Sequence, residues 1–276
     1  MSSSKSKNII IIVLLLLNAI LFAIVIFDKT EAASAKEAEI DALIDVLKAN
    51  AISLDDELDF DIDAPLPCSI VRNEIRDNKL MEKLIGYSYR EDMGGNVIFY
   101  RSDMGEAMLH GTGVISLLFH DDQPDLSGDF AQSAAKYMSR KGIDLYPENA
   151  EANIMNDSAT VNVPCAYDGN CIYNAKLSFT ISDGRLIMID GTRVFDGEIT
   201  QKNVEIIDSV SAIMYFLDYV RNDGYICSSI NGLEAGYFMN VAVSGESSLR
   251  PVWRISTDTG VVYINAVSGK TESLPA

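Results

Sequence analysis

From Ile9 to Phe27 the chain carries nineteen residues of which one, Asn18, is polar. As a helix rising about 1.5 Å per residue, the run spans roughly 28 Å, close to the hydrocarbon thickness of a bilayer. Lys5 and Lys7 precede it, and Asp28, Lys29 and Glu31 follow. A basic excess stays cytoplasmic, so the sequence predicts a cytoplasmic tail at 1–8, a transmembrane helix at 9–27 and an extracytoplasmic remainder of a single-pass cell-membrane protein. The competing reading is a cleaved signal peptide, because Ala33-Ser34-Ala35 has the small-x-small form of a cleavage site. A signal h-region is typically about 7–15 residues, shorter than this run, so an uncleaved anchor is expected. Asn18 at mid-membrane either contacts another transmembrane helix or is a single tolerated amide.

Residues 28–50 read as a helical stalk. Ile40, Leu43, Ile44 and Leu47 fall at i, i+3, i+4 and i+7, and residues 31–50 hold no Gly or Pro. The stalk either transmits motion through the membrane or packs on its own domain. An acidic linker at 51–67 follows, with Asp55, Asp56, Glu57, Asp59, Asp61 and Asp63 before Pro65 and Pro67. Asp59, Asp61 and Asp63 imitate the start of a calcium loop. Ala64 then stands where Gly is needed and Ile70 where the bidentate Glu is needed, so a solvated, extended segment is the better reading.

Beyond Phe27 the chain has 20 basic and 40 acidic side chains. Such a surface repels nucleic acid, which excludes a general nucleic-acid binder.

The remainder repeats one order three times, a helix followed by strands, in units at 68–122, 123–200 and 201–276. The expected helices are 72–84, 128–141 and 203–221, with Ser127 as the cap of the second. The third carries so many apolar residues that burial on more than one side is expected. The expected strands are 86–91, 96–101, 106–119, 157–164, 171–182, 185–195, 225–230, 233–243, 251–256 and 261–266. Asp183-Gly184 is a hairpin signal. The predicted fold class is therefore α+β: an N-terminal transmembrane helix and stalk, then helix-plus-antiparallel-sheet units outside the membrane.

Chemistry-bearing residues are sparse. Cys165 and Cys171 flank a short turn and are the best candidates for a disulfide among four cysteines, the alternative being small buried thiols. Two histidines, His110 and His120, cannot build a His-rich metal site, and no Gly-x-Ser-x-Gly elbow is present. Gly111-Thr112-Gly113 lacks the spacing of a nucleotide loop. No catalytic activity, cofactor or metal is expected.

The C-terminal stretch holds Gly236-Tyr237, then Leu249-Arg250-Pro251-Val252-Trp253-Arg254-Ile255, then Gly260, then Tyr263-Ile264-Asn265-Ala266 and Gly269. Physically these are strands joined by a tight turn, with Trp253 on one face and Arg254 on the other. Pro251 opens its strand, where a missing donor is tolerated. The pattern resembles the C-terminal part of YycI/YycH-type regulatory proteins and of PepSY-like domains. The resemblance implies a non-catalytic membrane accessory of a two-component sensor histidine kinase of the WalK type. It implies contacts with the kinase, and with a second YycH-type accessory, through transmembrane and extracytoplasmic regions. The alternative is an exported PepSY-like inhibitor or ligand-binding module acting on an envelope protease.

Overall fold

The structure is a computed structural model and describes residues 34–120, 124–155, 158–242 and 246–273. The predicted anchor at 9–27, with Asn18, lies outside the described residues. Among those, no helix is long and apolar enough to cross a membrane. The chain divides into two compact units after Leu54.

In the first unit, residues 34–49 are helical (α1) and a two-residue strand follows, β1 (Ser53–Leu54). Leu43 and Leu47 are buried and Ile40 and Ile44 half-buried, the face expected from their spacing. Asn50 ends the helix, its side-chain amide donating to the Val46 carbonyl at 2.7 Å.

The second unit begins with the acidic segment, which is largely irregular up to Pro67. Its elements run β2 (Cys68–Arg72), α2 (Glu74–Ile85), β3 (Tyr89–Gly94), β4 (Val97–Arg101), β5 (Gly105–His110) and β6 (Val114–Phe119). Next come α3 (Phe130–Lys141), a 3-10 turn at Pro147–Asn149, β7 (Glu151–Met155), β8 (Ser158–Tyr167), β9 (Asn170–Ser182), β10 (Arg185–Thr192) and β11 (Gly197–Gln201). The chain closes with α4 (Ser209–Asp223), β12 (Ser229–Val241), β13 (Glu246–Thr257), β14 (Val261–Asn265) and β15 (Thr271–Glu272).

The expectation of separate helix-plus-antiparallel-sheet units is corrected here. Strands β2 to β15 belong to one mixed sheet with few helices, whose main path is β11-β2-β13-β12-β9-β10-β6-β5-β4-β3. Three pairings erase the expected boundaries. Strand β6 of the first expected unit pairs antiparallel with β10 of the second, Met188 opposite Leu118. Strand β2, which lies within the span of the first expected unit but was not expected as a strand, pairs with β13 of the third. Strand β9 meets β12 in parallel, Gly236 opposite Cys171 and Tyr237 opposite Ile172. The apolar pattern located most of the longer strands; it carried no information on which edges would meet, because an edge is satisfied by any strand of matching register.

Helices α2 and α3 cover one face of this sheet. Asn73 caps α2, its side chain accepting from the amides of Ile75 and Arg76. Leu80, Met81, Leu84 and Ile85 of α2 join Ala134 and Met138 of α3 in one core with Leu109, Leu117, Phe179 and Ile189 of the sheet. Each such large apolar side chain contributes about 1.5–3 kcal/mol when fully buried. Helix α3 starts two residues later than predicted because Asp129, not Ser127, is the cap, accepting from the Gln132 amide at 3.1 Å. Helix α4 starts at Ser209 because the Ile207 backbone is already engaged: its amide donates to the Ala266 carbonyl at 2.7 Å, and its carbonyl accepts from Trp253 Nε1 at 2.8 Å. Ala212, Ile213, Phe216 and Leu217 are buried while Met214 and Tyr215 are exposed, so α4 is buried on one side.

The parallel joint rests on Gly236. A Cβ there would sit 2.5 Å from the Cys171 carbonyl oxygen and 2.7 Å from the Tyr173 ring. We predict that Gly236→Ala destabilises the protein by about 1–3 kcal/mol through overpacking. The lost stability would be read as a lower urea midpoint at unchanged slope.

Candidate functional site

A cleft of about 420 Å³ opens where the C-terminal ends of α2 and α3 meet the link between β10 and β11. Arg76, Lys79, Leu80 and Lys83 line it from α2; their i, i+3, i+4, i+7 spacing places them on one stripe. Lys141 and Asp144 line it from the end of α3, Tyr167 from the end of β8, and Arg193, Phe195 and Asp196 from the link. Five cations thus face two carboxylates in a chain whose net charge is −18.

Its floor is a buried ion triad. Arg193 Nη2 donates to Asp77 Oδ1, and Arg72 Nε donates to Asp77 Oδ2 at 2.6 Å. The Arg193 and Asp77 side chains are each 1% exposed and that of Arg72 is 6% exposed. The Arg193 guanidinium also donates to the Val194 carbonyl at 3.1 Å and lies 5.9 Å from the Phe195 ring centre. Arg193 Nε and Arg72 Nη2 are buried without a hydrogen-bond partner among the described residues. Each orphaned donor costs about 1–3 kcal/mol.

The local sequence explains the placement. Asp77 falls in the first turn of α2, where a carboxylate suits the helix dipole. Gly113, singled out in the Gly-Thr-Gly stretch, adopts a φ of +88° and a Cβ there would meet the Arg193 carbonyl at 2.7 Å. Its own carbonyl accepts from the Arg193 amide at 3.0 Å. The turn between β5 and β6 therefore fixes the backbone of Arg193.

At the rim, Lys83 Nζ donates to the Lys141 carbonyl at 3.2 Å, and Lys141 Nζ donates to the Lys83 carbonyl. Each ammonium satisfies a carbonyl at the negative end of the other helix and keeps two further protons for a ligand. Burial, and then the Lys83 charge, push the Lys141 pKa below its ordinary value. Arg76 pairs with Asp196 across the mouth.

None of the residues proposed from the sequence lines this cleft. Cys165 and Cys171 are free thiols in the structure. Register pairs Cys165 with Ile172 and Ala166 with Cys171, so the two are offset across the β8–β9 ladder. His110 ends β5 and His120 follows β6, so they sit at opposite ends of one hairpin. Among the described residues no three His, Cys, Asp or Glu side chains cluster to hold a metal ion.

The C-terminal motif residues build the core. Trp253, Val252 and Ile255 are fully buried. Tyr237 donates its hydroxyl to the Leu66 carbonyl at 3.0 Å, and Tyr263 packs on Phe238, ring centres 4.7 Å apart. Pro251 lies inside β13, not at its start. There β2 stops at Leu249 and β14 begins at Val252, so the missing donor falls where the neighbouring strand changes. Asn265 accepts from the amides of Val267 and Ser268, each at 2.9 Å, and buried Ala266 follows it. Gly260 and Gly269 sit in the flanking turns.

The basic stripe on α2 was present in the sequence as Arg76, Lys79 and Lys83 but was averaged away by the acidic total. Its partners Lys141 and Arg193 are distant in sequence and gave no local signal.

No family model and no curated protein matches the chain. Among solved structures, the crystal structure of an uncharacterized protein from Eubacterium rectale at 1.45 Å resolution is similar, with a TM-score of 0.54 and 12% identity. The match covers 82% of this chain and 92% of that one, and at this identity it establishes the fold alone.

Burial pushes the Cys165 thiol up to about 12 and the Cys171 thiol likewise, from the ordinary 9.0. Both folded values lie above the unfolded one, so their contribution to stability is whole below about pH 9 and is lost as the pH rises toward 12. We predict that iodoacetamide at pH 8 modifies Cys227, which is only half-buried, well before Cys165 and Cys171. Mass spectrometry of the labelled peptides checks this.

Proposed function

We propose that this protein is a non-catalytic, membrane-anchored regulator that modulates a two-component sensor histidine kinase through transmembrane and extracytoplasmic contacts. The observation that carries the reading is the nature of the cleft. Its lining offers five cations, two carboxylates and one tyrosine hydroxyl. Its floor is held by side chains locked in a buried ion triad. A site with this excess of cations suits the holding of an anionic group. The apolar run at 9–27, flanked by Lys5 and Lys7 inside and Asp28 outside, supports an anchor with the C-terminal region outside the membrane. The likeness of the strands around Pro251-Val252-Trp253 to YycI/YycH-type proteins supports a kinase, and a second accessory, as partners.

The test is photocrosslinking in the native membrane, with the reactive residue at Asn18 or within α1, followed by mass spectrometry. Capture of a sensor kinase or of a second accessory is the expected result. Capture of an envelope protease or wall enzyme alone would contradict the reading. A companion prediction concerns the anchor. Replacing residues 9–27 by an unrelated transmembrane helix leaves the second unit folded but shifts expression of kinase-dependent genes. An unaltered response would exclude coupling through the membrane.

A further inference from the structure

The triad leaves an unbalanced charge at the base of the cleft. Two buried guanidiniums, of Arg72 and Arg193, share the single carboxylate of Asp77. Arg193 lines the cleft, and its Nε is a buried donor with no partner among the described residues. Above it Lys79, Lys83 and Lys141 add three further cations, while Arg76 is already paired with Asp196. An isolated charge taken out of water is held only with a counter-charge. The chain as a whole carries a net charge of −18, so this recess gathers cations against an acidic average, and low-dielectric walls focus the local field.

We propose that the cleft binds a ligand carrying phosphate, with more than one negative charge. A carboxylate supplies a single charge, whereas Arg72, Arg193, Lys79, Lys83 and Lys141 set against Asp77 and Asp144 leave an excess of three positive charges. A phosphate presents several oxygens at once, to the guanidinium fork and to lysines acting as point charges. The cleft's volume of about 420 Å³ falls in the range of about 300–1,000 Å³ usual for small-ligand sites. The ligand is either a free di- or polyphosphate or the phosphate group of a phosphodiester-linked polymer, since both offer the same chemistry. The inference rests on the reading of the cleft as a binding site, but it requires no kinase.

Pyrophosphate is titrated into the full-length chain in detergent by calorimetry, with thermal unfolding as a second readout. The expected result is one site per chain, a raised Tm, and an affinity that falls as sodium chloride is added. Lys79→Gln with Lys83→Gln changes exposed side chains and keeps the fold, and it is expected to weaken binding about tenfold or more. Lys176→Gln, on the exposed side of β9 and away from this cleft, is expected to leave affinity unchanged. A glycerol phosphate oligomer distinguishes the sources: tighter binding than pyrophosphate assigns the polymer, weaker binding the free ligand. No heat and no Tm change at millimolar pyrophosphate overturns the proposal, as does equal affinity in the lysine double variant. A chain that captures a kinase yet ignores pyrophosphate loses this ligand and keeps the regulatory reading. One that binds pyrophosphate but captures no kinase does the reverse.

Discussion

One buried carboxylate holds the middle of this molecule together. Asp77 receives Arg72 from the end of β2 and Arg193 from the link after β10. Arg72 is thereby tied to the strand that pairs with β11 and β13, and Arg193 to the strand that pairs with β6 and β9. Both halves of the sheet path therefore meet at one side chain of α2. A pair this deep is costly to desolvate, and its value lies in specificity more than in net stability. It forces α2 to sit where its Arg76, Lys79, Lys83 stripe borders the β10–β11 link, and that placement creates the cleft.

The C-terminal motif has a different physical role from the cleft. Trp253 ties the chain before α4 to β13, Pro251 marks the exchange of β2 for β14, and Gly236 allows β9 to approach β12. These residues define how the sheet is closed, and they are buried. A resemblance carried by such positions speaks to packing, and any partner would read the exposed surface instead.

Much of the local structure was legible in the sequence. The 3.6-residue period marked α1, helices were expected over most of α2 and α3, and Asp183-Gly184 marked the β9–β10 hairpin. What failed were features set by tertiary contacts. Residues 203–208 have helical composition, yet the Ile207 backbone is committed to Ala266 and Trp253. The stretch 106–119 reads as one strand, yet Gly113 takes a positive φ and splits it into β5 and β6. Strands β2, β7 and β11 were missed because none alternates: β2 buries Cys68, Ser69 and Ile70 in a row, β7 exposes all of its side chains, and β11 all but Gly197. The partition into three units failed because strand order across distant segments leaves no trace in a hydrophobic pattern. The cleft was invisible for the same reason: its cations come from three separate elements, and an acidic average masked them.

The central claim is that the Asp77 triad couples α2 to the sheet at the cleft floor. A double-mutant cycle between Asp77→Leu and Arg193→Met, followed by urea unfolding of the full chain, tests it most directly. Asp77→Leu leaves two buried guanidiniums without their carboxylate and should cost about 3–5 kcal/mol, whereas Arg193→Met leaves Asp77 paired with Arg72 and should cost less. The double variant removes the Asp77–Arg193 pair, with Arg72 left as in Asp77→Leu alone, and should cost less than the sum, with a coupling within the range of about 0.5–3 kcal/mol seen for contacting residues. Simple additivity of the two losses would show that the pair does not act as a unit, and the account of the fold's centre would be wrong.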